Sequence, residues 1–271
     1  MKPRDLLYFL GIQPKPQTYG YEITTFDLPG EGRIQYAQWL HPAESKKTIS
    51  QDAIDELRKF ILPGDAAIDI GAHSGDSTIP IALAAGAAGV VLALEPNPFV
   101  FPVLKKNAAL NREMTNIIPL MFAATPQAGE FEFEYSDSGF CNGGFHEGIS
   151  KWRHGHAFRL KVRGENLQLY LERNHPDLIS KIRLIKVDAE GYDYAVLQSL
   201  EKLIMRQKPF IKCEVYKHLK LKQREKLFNF LASCGYEISR IDSECNYGGE
   251  KVTKEKLMTR QHYDVFCIPS K

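Results

Sequence analysis

Between residues 66 and 124, short apolar runs alternate with helical patterns. This alternation constrains the fold more than any other feature of the chain. A-A-I-D-I (66–70) reads as a buried strand, and Ser77 to Ala85 as a helix in which Pro80 is tolerable only within the first turn. G-V-V-L-A-L (89–94) is a second apolar strand. Pro98 to Asn111 follows as a helix, with Phe101, Leu104 and Ala108 on one side. N-I-I-P-L-M-F-A-A (116–124) reads as a third strand. The order β-α-β-α-β predicts an α/β fold around a parallel sheet.

Before this core, Y-E-I-T-T-F-D-L and R-I-Q-Y-A-Q-W-L flank the turn signal P-G-E-G, which predicts a hairpin over 21–40. Residues 41–50 are polar and connecting. Ser50 is a candidate N-cap for a helix carrying Ile54, Leu57 and Ile61, stopped by Pro63-Gly64. Residues 1–47 are therefore read as an N-terminal extension and 48–271 as the main domain. Further strands are expected at 131–135, 158–163, 183–188 and 210–215, with late strands Y-E-I-S-R-I and Y-D-V-F-C-I closing the sheet. Helices are expected at 167–173, 194–204 and 221–234, the last with Leu227, Phe228 and Leu231 inward.

Composition excludes several classes. The 271 residues are 44% hydrophobic and 25% charged, as in an ordinary globular protein. The 35 basic and 33 acidic residues leave +2, too little for nucleic-acid backbone binding to be the first expectation. Five widely spaced cysteines without C-x-x-C argue against a zinc site or a disulfide framework. Asp5 interrupts the short apolar run at the start and no small-residue cleavage site follows, so a signal peptide is not expected. Residues 77–94 carry no charge, yet Pro80, Gly86 and Gly89 break them into a helix, a turn and a strand. The expectation is a cytoplasmic protein without a membrane span; oligomeric state is not readable.

D-I-G-A-H-S-G-D (69–76) stands where a strand turns into a helix, and Gly71 and Gly75 leave room for a ligand against the backbone. The bland alternative is an ordinary tight turn. Against it, Asp69 is placed near the end of a buried strand, where a carboxylate needs a partner. Glu95 ends the next strand, where an acid can accept both ribose hydroxyl hydrogens. A dinucleotide fingerprint needs glycine at position 73, which is His, and no phosphate loop G-x-x-x-x-G-K-[ST] occurs. A cofactor with a ribose but no phosphate fits better, S-adenosylmethionine being the common one, with Asp69 near its ammonium directly or through water.

A-I-D-I-G-A-H-S-G-D, L-A-L-E-P-N-P and I-K-V-D-A-E-G-Y-D, in that order, resemble the FkbM family of S-adenosylmethionine-dependent methyltransferases over residues 48–215. D-x-E-G is the specific element, since many class I methyltransferases share the other two. The resemblance implies a Rossmann-like sheet, mostly parallel with an antiparallel last strand, and methyl transfer mostly onto oxygen of sugars or secondary metabolites. By position, Asp69, Gly71, Ala72, His73, Gly75 and Asp76 match the first cofactor loop. Glu95, Pro96 and Asn97 match the ribose segment, and Ala123 the adenine wall. His73 stands where Asn is more usual, and T-P at 125–126 where S-D is frequent.

Methyl transfer is an in-line displacement helped by positioning the acceptor and by a base for its proton. Asp188, at a strand end, is the first candidate; Glu190 follows it and Glu214 lies in another buried strand. The structural alternatives are a helix-start charge for Glu190 and a buried ion pair with Lys186 or another base for Glu214. The three acids could instead hold a divalent ion, though nothing in the spacing requires one. Phe140, Asn142 and Phe145 in a Gly-rich loop, and His218, are candidate acceptor contacts; an ordered or solvated loop is the alternative. The expected partner is a hydroxylated small molecule. Other readings are N-methyl transfer, made less attractive by the absence of a D-P-P-Y-like element, a non-catalytic nucleoside-binding domain, and an NAD-dependent oxidoreductase.

Overall fold

The structure, a computed structural model, describes residues 17–135 and 158–270. The chain begins with β1 (Tyr21–Leu28) and β2 (Gly32–Trp39), an antiparallel hairpin. Helix α1 (Gln51–Leu57) starts at Ser50, whose side chain accepts from the Ala53 amide at 3.3 Å. Then come β3 (Ala66–Ile70), α2 (Thr78–Ala85), β4 (Val90–Leu94), α3 (Phe101–Ala109) and β5 (Ile117–Leu120). Pro80 lies in the first turn of α2, where its missing N–H costs nothing.

The run 116–124 is not one strand. It leaves the sheet after Leu120, and Ala123–Ala124 forms a separate short strand, β6, that pairs with β8 (Phe158–Glu165). An unbroken apolar run carries no local mark of such a change of partner. β7 (Gly129–Tyr135) pairs antiparallel with β8, giving a three-stranded side sheet in the order β6-β8-β7.

The chain then forms α4 (Leu167–Asn174), β9 (Ile182–Val187), α5 (Asp193–Ser199), α6 (Glu201–Gln207), β10 (Phe210–Val215), α7 (Leu221–Ser233), β11 (Tyr236–Arg240) and β12 (Tyr263–Pro269). The single helix expected over 194–204 is broken at Leu200, whose φ of −102° and ψ of 9° leave the helical region. In α7, Leu227 and Leu231 are buried and Phe228 half-buried, as their spacing predicts.

The main sheet runs β5-β4-β3-β9-β10-β12-β11, with β12 antiparallel to both neighbours and the rest parallel. This is the Rossmann-like sheet with a reversed last strand. Its central strands β3, β4, β9 and β10 are buried on both faces, so they read as largely apolar runs. On one face, Ile68, Ile70, Ile185 and Val187 pack with α5 and α7. On the other, Ala67, Val91 and Leu184 pack with α1, α2 and the hairpin residues Ile34 and Tyr36.

The hairpin is tied to α3 and the turn after it by two asparagines four residues apart, Asn107 in the helix and Asn111 just beyond its end. Asn111 accepts from the Gln35 amide and donates to the Gln35 carbonyl, both at 2.9 Å. Asn107 does the same with Ala37, at 2.6 and 3.0 Å, and also donates to the Ser74 carbonyl at 2.7 Å. The two side chains thus act as an extra strand along β2. No helix among the described residues is long and apolar enough to cross a membrane.

Candidate active site

Strand register arranges the polar residues in two rows on the hairpin-side face. Asp69, Lys186 and Lys212 are direct neighbours across β3, β9 and β10. Two residues further along, where the parallel strands end, the same face carries Gly71, Asp188 and Glu214, with Asp264 opposite Glu214 on β12. Glu95 stands just past β4. A cavity of about 550 Å³ runs along this second row, large enough for a nucleoside-sized ligand and an acceptor. Glu95, Gly71, Lys186, Asp188, Glu214 and Asp264 all line it.

The lower row supports the upper one. Asp69 is fully buried and accepts from Ser77 Oγ at 2.8 Å and Thr78 Oγ1 at 2.6 Å. Lys186 Nζ lies 3.1 Å from Asp69 and 3.7 Å from Asp188, and donates to the Gly71 carbonyl at 2.8 Å. Burial works against its charge, but Asp69 and Asp188 outweigh that and hold the ammonium form firmly. Asp69 therefore fixes Lys186 and the start of α2 from beneath, and is not among the residues that line the cavity.

At the cofactor loop, Gly71 has φ 76° and lies so close to β9 that a Cβ would run into the Asp188 carbonyl oxygen. The Gly71 and Ala72 amides both donate to the Leu94 carbonyl. His73 adopts a left-handed φ of 48°, rare for a residue with a Cβ, and its amide donates to Glu95 at 2.9 Å. The Asn97 amide donates to the other Glu95 oxygen at 2.8 Å. Burial pushes the Glu95 carboxyl up to about 7, against the pull of these two amides. Gly75 has φ 99° and packs under Leu104, away from the cavity, as do Ala72 and the buried Asn97. Pro96, Phe122, Ala123 and Phe133 form an apolar wall beyond Glu95. These features fit a cofactor bearing a ribose and a flat base: a fixed carboxylate for the diol and an apolar slot beside it.

At the other end, Glu190 also has a left-handed φ, 50°. Burial and then the Asp188 charge push its carboxyl up to about 8. Asp193 at the start of α5 holds this turn, accepting from the Ala189 amide at 3.1 Å and the Gly191 amide at 3.0 Å. Glu214 is 6% exposed; Oε1 lies 3.5 Å from His262 Nδ1, and Oε2 has no hydrogen-bond partner. The ion pair with Lys186 envisaged for it is not formed, since Asp69 and Asp188 hold that lysine. Burial, then the charges of Asp188, Asp193, Glu190 and Asp264, drive its carboxyl far above the usual range.

The third wall comes from residues 44–50, which read in sequence as mere connection. Glu44, Lys47 and Ser50 line the cavity. Lys47 bridges Glu44 at 3.3 Å and Asp76 at 2.9 Å. Burial alone would raise Asp76, but Lys47 and then His73 bring its carboxyl below the usual value. His73 lines the cavity beside them, its ring 5.4 Å from Trp39, and burial lowers it to about 4. Nothing local marked 44–50, because their neighbours are distant in sequence. Asp193, by contrast, stands in I-K-V-D-A-E-G-Y-D with no role legible there, and Lys186 reads only as a partner for Glu214.

His218 packs its ring against Tyr216 at 5.3 Å and does not line the cavity. Phe140, Asn142 and Phe145 lie outside the described residues. Among the described residues no three His, Cys, Asp or Glu side chains are grouped to hold one metal ion.

Residues 69–238, well over half the chain, match the Methyltransferase FkbM domain family. Among solved structures, the chain is similar to methyltransferase FkbM from Methylobacillus flagellatus KT, at 13% identity and TM-score 0.47. That match covers 75% of this chain but spans only 43% of the other. A SAM-dependent O-methyltransferase from Thermotoga maritima matches at 13% identity and TM-score 0.44, covering 93% and 78% of the two chains. Fibrillarin from Aeropyrum pernix, solved with natively bound S-adenosyl-L-methionine, matches at 11% identity and TM-score 0.44, covering 94% and 99%. No curated protein sequence matches the chain. With the loop, the ribose acid and D-A-E-G on one sheet end, and the family match spanning them, the chain belongs to the FkbM family of class I, S-adenosylmethionine-dependent methyltransferases.

Proposed function

We propose that the chain is an O-methyltransferase that uses S-adenosylmethionine to methylate a hydroxyl of a sugar or another polyhydroxylated small molecule. The observation that carries this reading is the single row of strand ends along one cavity: Glu95, then Gly71, then Asp188 and Glu214. Glu95 takes the ribose hydroxyls, and Pro96, Phe122 and Ala123 flank the adenine. Lys47 and Asp76 offer one charge of each sign to the amino-acid end. The bound cofactor supplies a methyl group activated by a sulfonium.

The chain's own residues supply position and a proton acceptor. Asp188, held by Lys186, orients the acceptor hydroxyl. The hydroxyl proton would pass to Glu190, whose raised value near 8 suits a general base better than an ordinary carboxylate, while the methyl–sulfur bond that breaks would leave S-adenosylhomocysteine. Thermal unfolding with S-adenosylmethionine, S-adenosylhomocysteine and NAD⁺ tests the cofactor half. Ligand at about 100 times its Kd adds roughly 2.7 kcal/mol, a shift of several degrees for this length. The expected result is a shift with the two sulfur nucleosides that Glu95→Ala abolishes. A shift with NAD⁺ alone sinks the reading. Transfer of labelled methyl to an alkali-stable ether product tests the oxygen half.

A further inference from the structure

Glu214 and Asp264 face each other directly across the β10–β12 ladder, at the end of the cavity away from Glu95. Two carboxyls in that position cannot both ionise cheaply without a cation between them. Burial raises the Asp264 carboxyl, Lys212 and Lys186 offset that only in part, and neither cation pairs with Glu214 or Asp264. Lys186 is engaged by Asp69, Asp188 and the Gly71 carbonyl. Lys212 is engaged by both oxygens of Glu244, at 2.6 and 2.7 Å. Among the described residues no Lys or Arg forms an ion pair with Glu190, Glu214 or Asp264, and His262 lies 3.5 Å from Glu214. Glu214 is more than nine-tenths buried and lines the cavity, with Oε2 unpartnered. A buried acid without its hydrogen bond is costly to keep unless a ligand completes it.

We propose that this end of the cavity receives a protonated amine, so that the acceptor is an amine-bearing polyol of the amino-sugar or aminocyclitol class, selected by Glu214 and Asp264. The proposal rests on the methyl-transfer reading and names the acceptor it serves. An ammonium brings three donors and the charge that the facing carboxylates lack. A neutral polyol brings donors but no charge. A divalent ion would need a third grouped ligand, which the described residues do not provide. The methylated atom remains a hydroxyl oxygen near Asp188 and Glu190; the amine sets which hydroxyl arrives there.

The test is calorimetric titration with matched pairs: glucosamine against glucose, and scyllo-inosamine against scyllo-inositol. Each is run with and without saturating S-adenosylhomocysteine. The amine of at least one pair should bind at least about tenfold more tightly than its hydroxyl counterpart, a difference of ~1.4 kcal/mol. Glu214→Gln and Asp264→Asn should each erase that preference while still binding S-adenosylhomocysteine, which shows that they fold. Equal affinities, no binding by any of the four, or a preference that survives both substitutions overturns the proposal. Binding of MgCl₂ that displaces the amines and disappears in the same variants overturns it in favour of a metal. If S-adenosylhomocysteine does not bind but the amine preference holds, only the methyl-transfer reading falls.

Discussion

Two residues with side chains, His73 and Glu190, occupy left-handed backbone on opposite sides of the cavity. Each turn is held by specific bonds: His73 through its amide to Glu95, Glu190 through the Asp193 carboxylate that gathers the amides on either side. Such strain is retained where the surrounding structure over-determines it. Glu190→Gln should keep the turn but lose the proton acceptor. Initial rates should fall on the order of 100-fold, and the rise in rate with an inflection near pH 8 should vanish from the pH profile. Lys186→Met leaves Asp69 charged and fully buried without its cation. Removing one partner of such a pair costs about 3–5 kcal/mol, to be read from urea midpoints. Smaller loss in Lys186→Met than in a surface control such as Lys161→Met would refute that account.

At the scale of elements, what is local was legible and what is long-range was not. Ser50 capped its helix as its spacing indicated, and each strand of the core was found by its apolar run. The run 116–124 misled because the break depends on β8, some forty residues later. Pro119 fits the same picture: β5 is the sheet's edge strand, where a missing N–H is tolerated. Nothing in the sequence marks Asn107 and Asn111 for this role; it exists only once β2 lies beside them. Asn107→Ala should cost about 1–3 kcal/mol, since a buried amide and a carbonyl of Ala37 lose their partner. Hydrogen exchange at the Ala37 amide should speed up, with Asn111→Ala doing the same at Gln35. Unchanged exchange in both variants would mean that apolar packing alone holds the hairpin.

At the scale of the whole molecule, the strand ends were readable one by one, but their alignment was not. I-D-I-G, I-K-V-D and I-K-C-E each place a polar residue at alternate positions. Only the register makes them two rows, and only the fold brings residues 44–50 over them. The rows also set the pH response of the ligand-free protein. Glu95 and Glu190 sit near 7 and 8 when folded, above the ordinary 4.5, so the folded state holds extra protons between those values. Their burden on stability is absent below about 4.5, grows from there, and is complete once pH passes 7 for Glu95 and 8 for Glu190. His73, lowered from 6.5 to about 4, acts oppositely: stability falls as pH drops below 6.5. Above pH 6.5, where His73 no longer contributes, urea unfolding should therefore show stability falling by about 2–3 kcal/mol by pH 8. Glu190→Gln should flatten that upper limb; a wild-type curve rising from pH 6.5 to 8 would contradict the assignment.

The amide ladder between α3 and β2 has a consequence for anyone recombining such enzymes. Ser74, in the cofactor loop, is held by Asn107 through its carbonyl and meets Tyr36 at 2.8 Å through its hydroxyl. The amino-terminal hairpin is thereby wired to the nucleoside end of the pocket. A chimera that grafts a foreign hairpin onto this catalytic sheet must carry over a compatible pair of amides on α3 and the turn after it, or it will inherit a loosened cofactor loop along with its new wall.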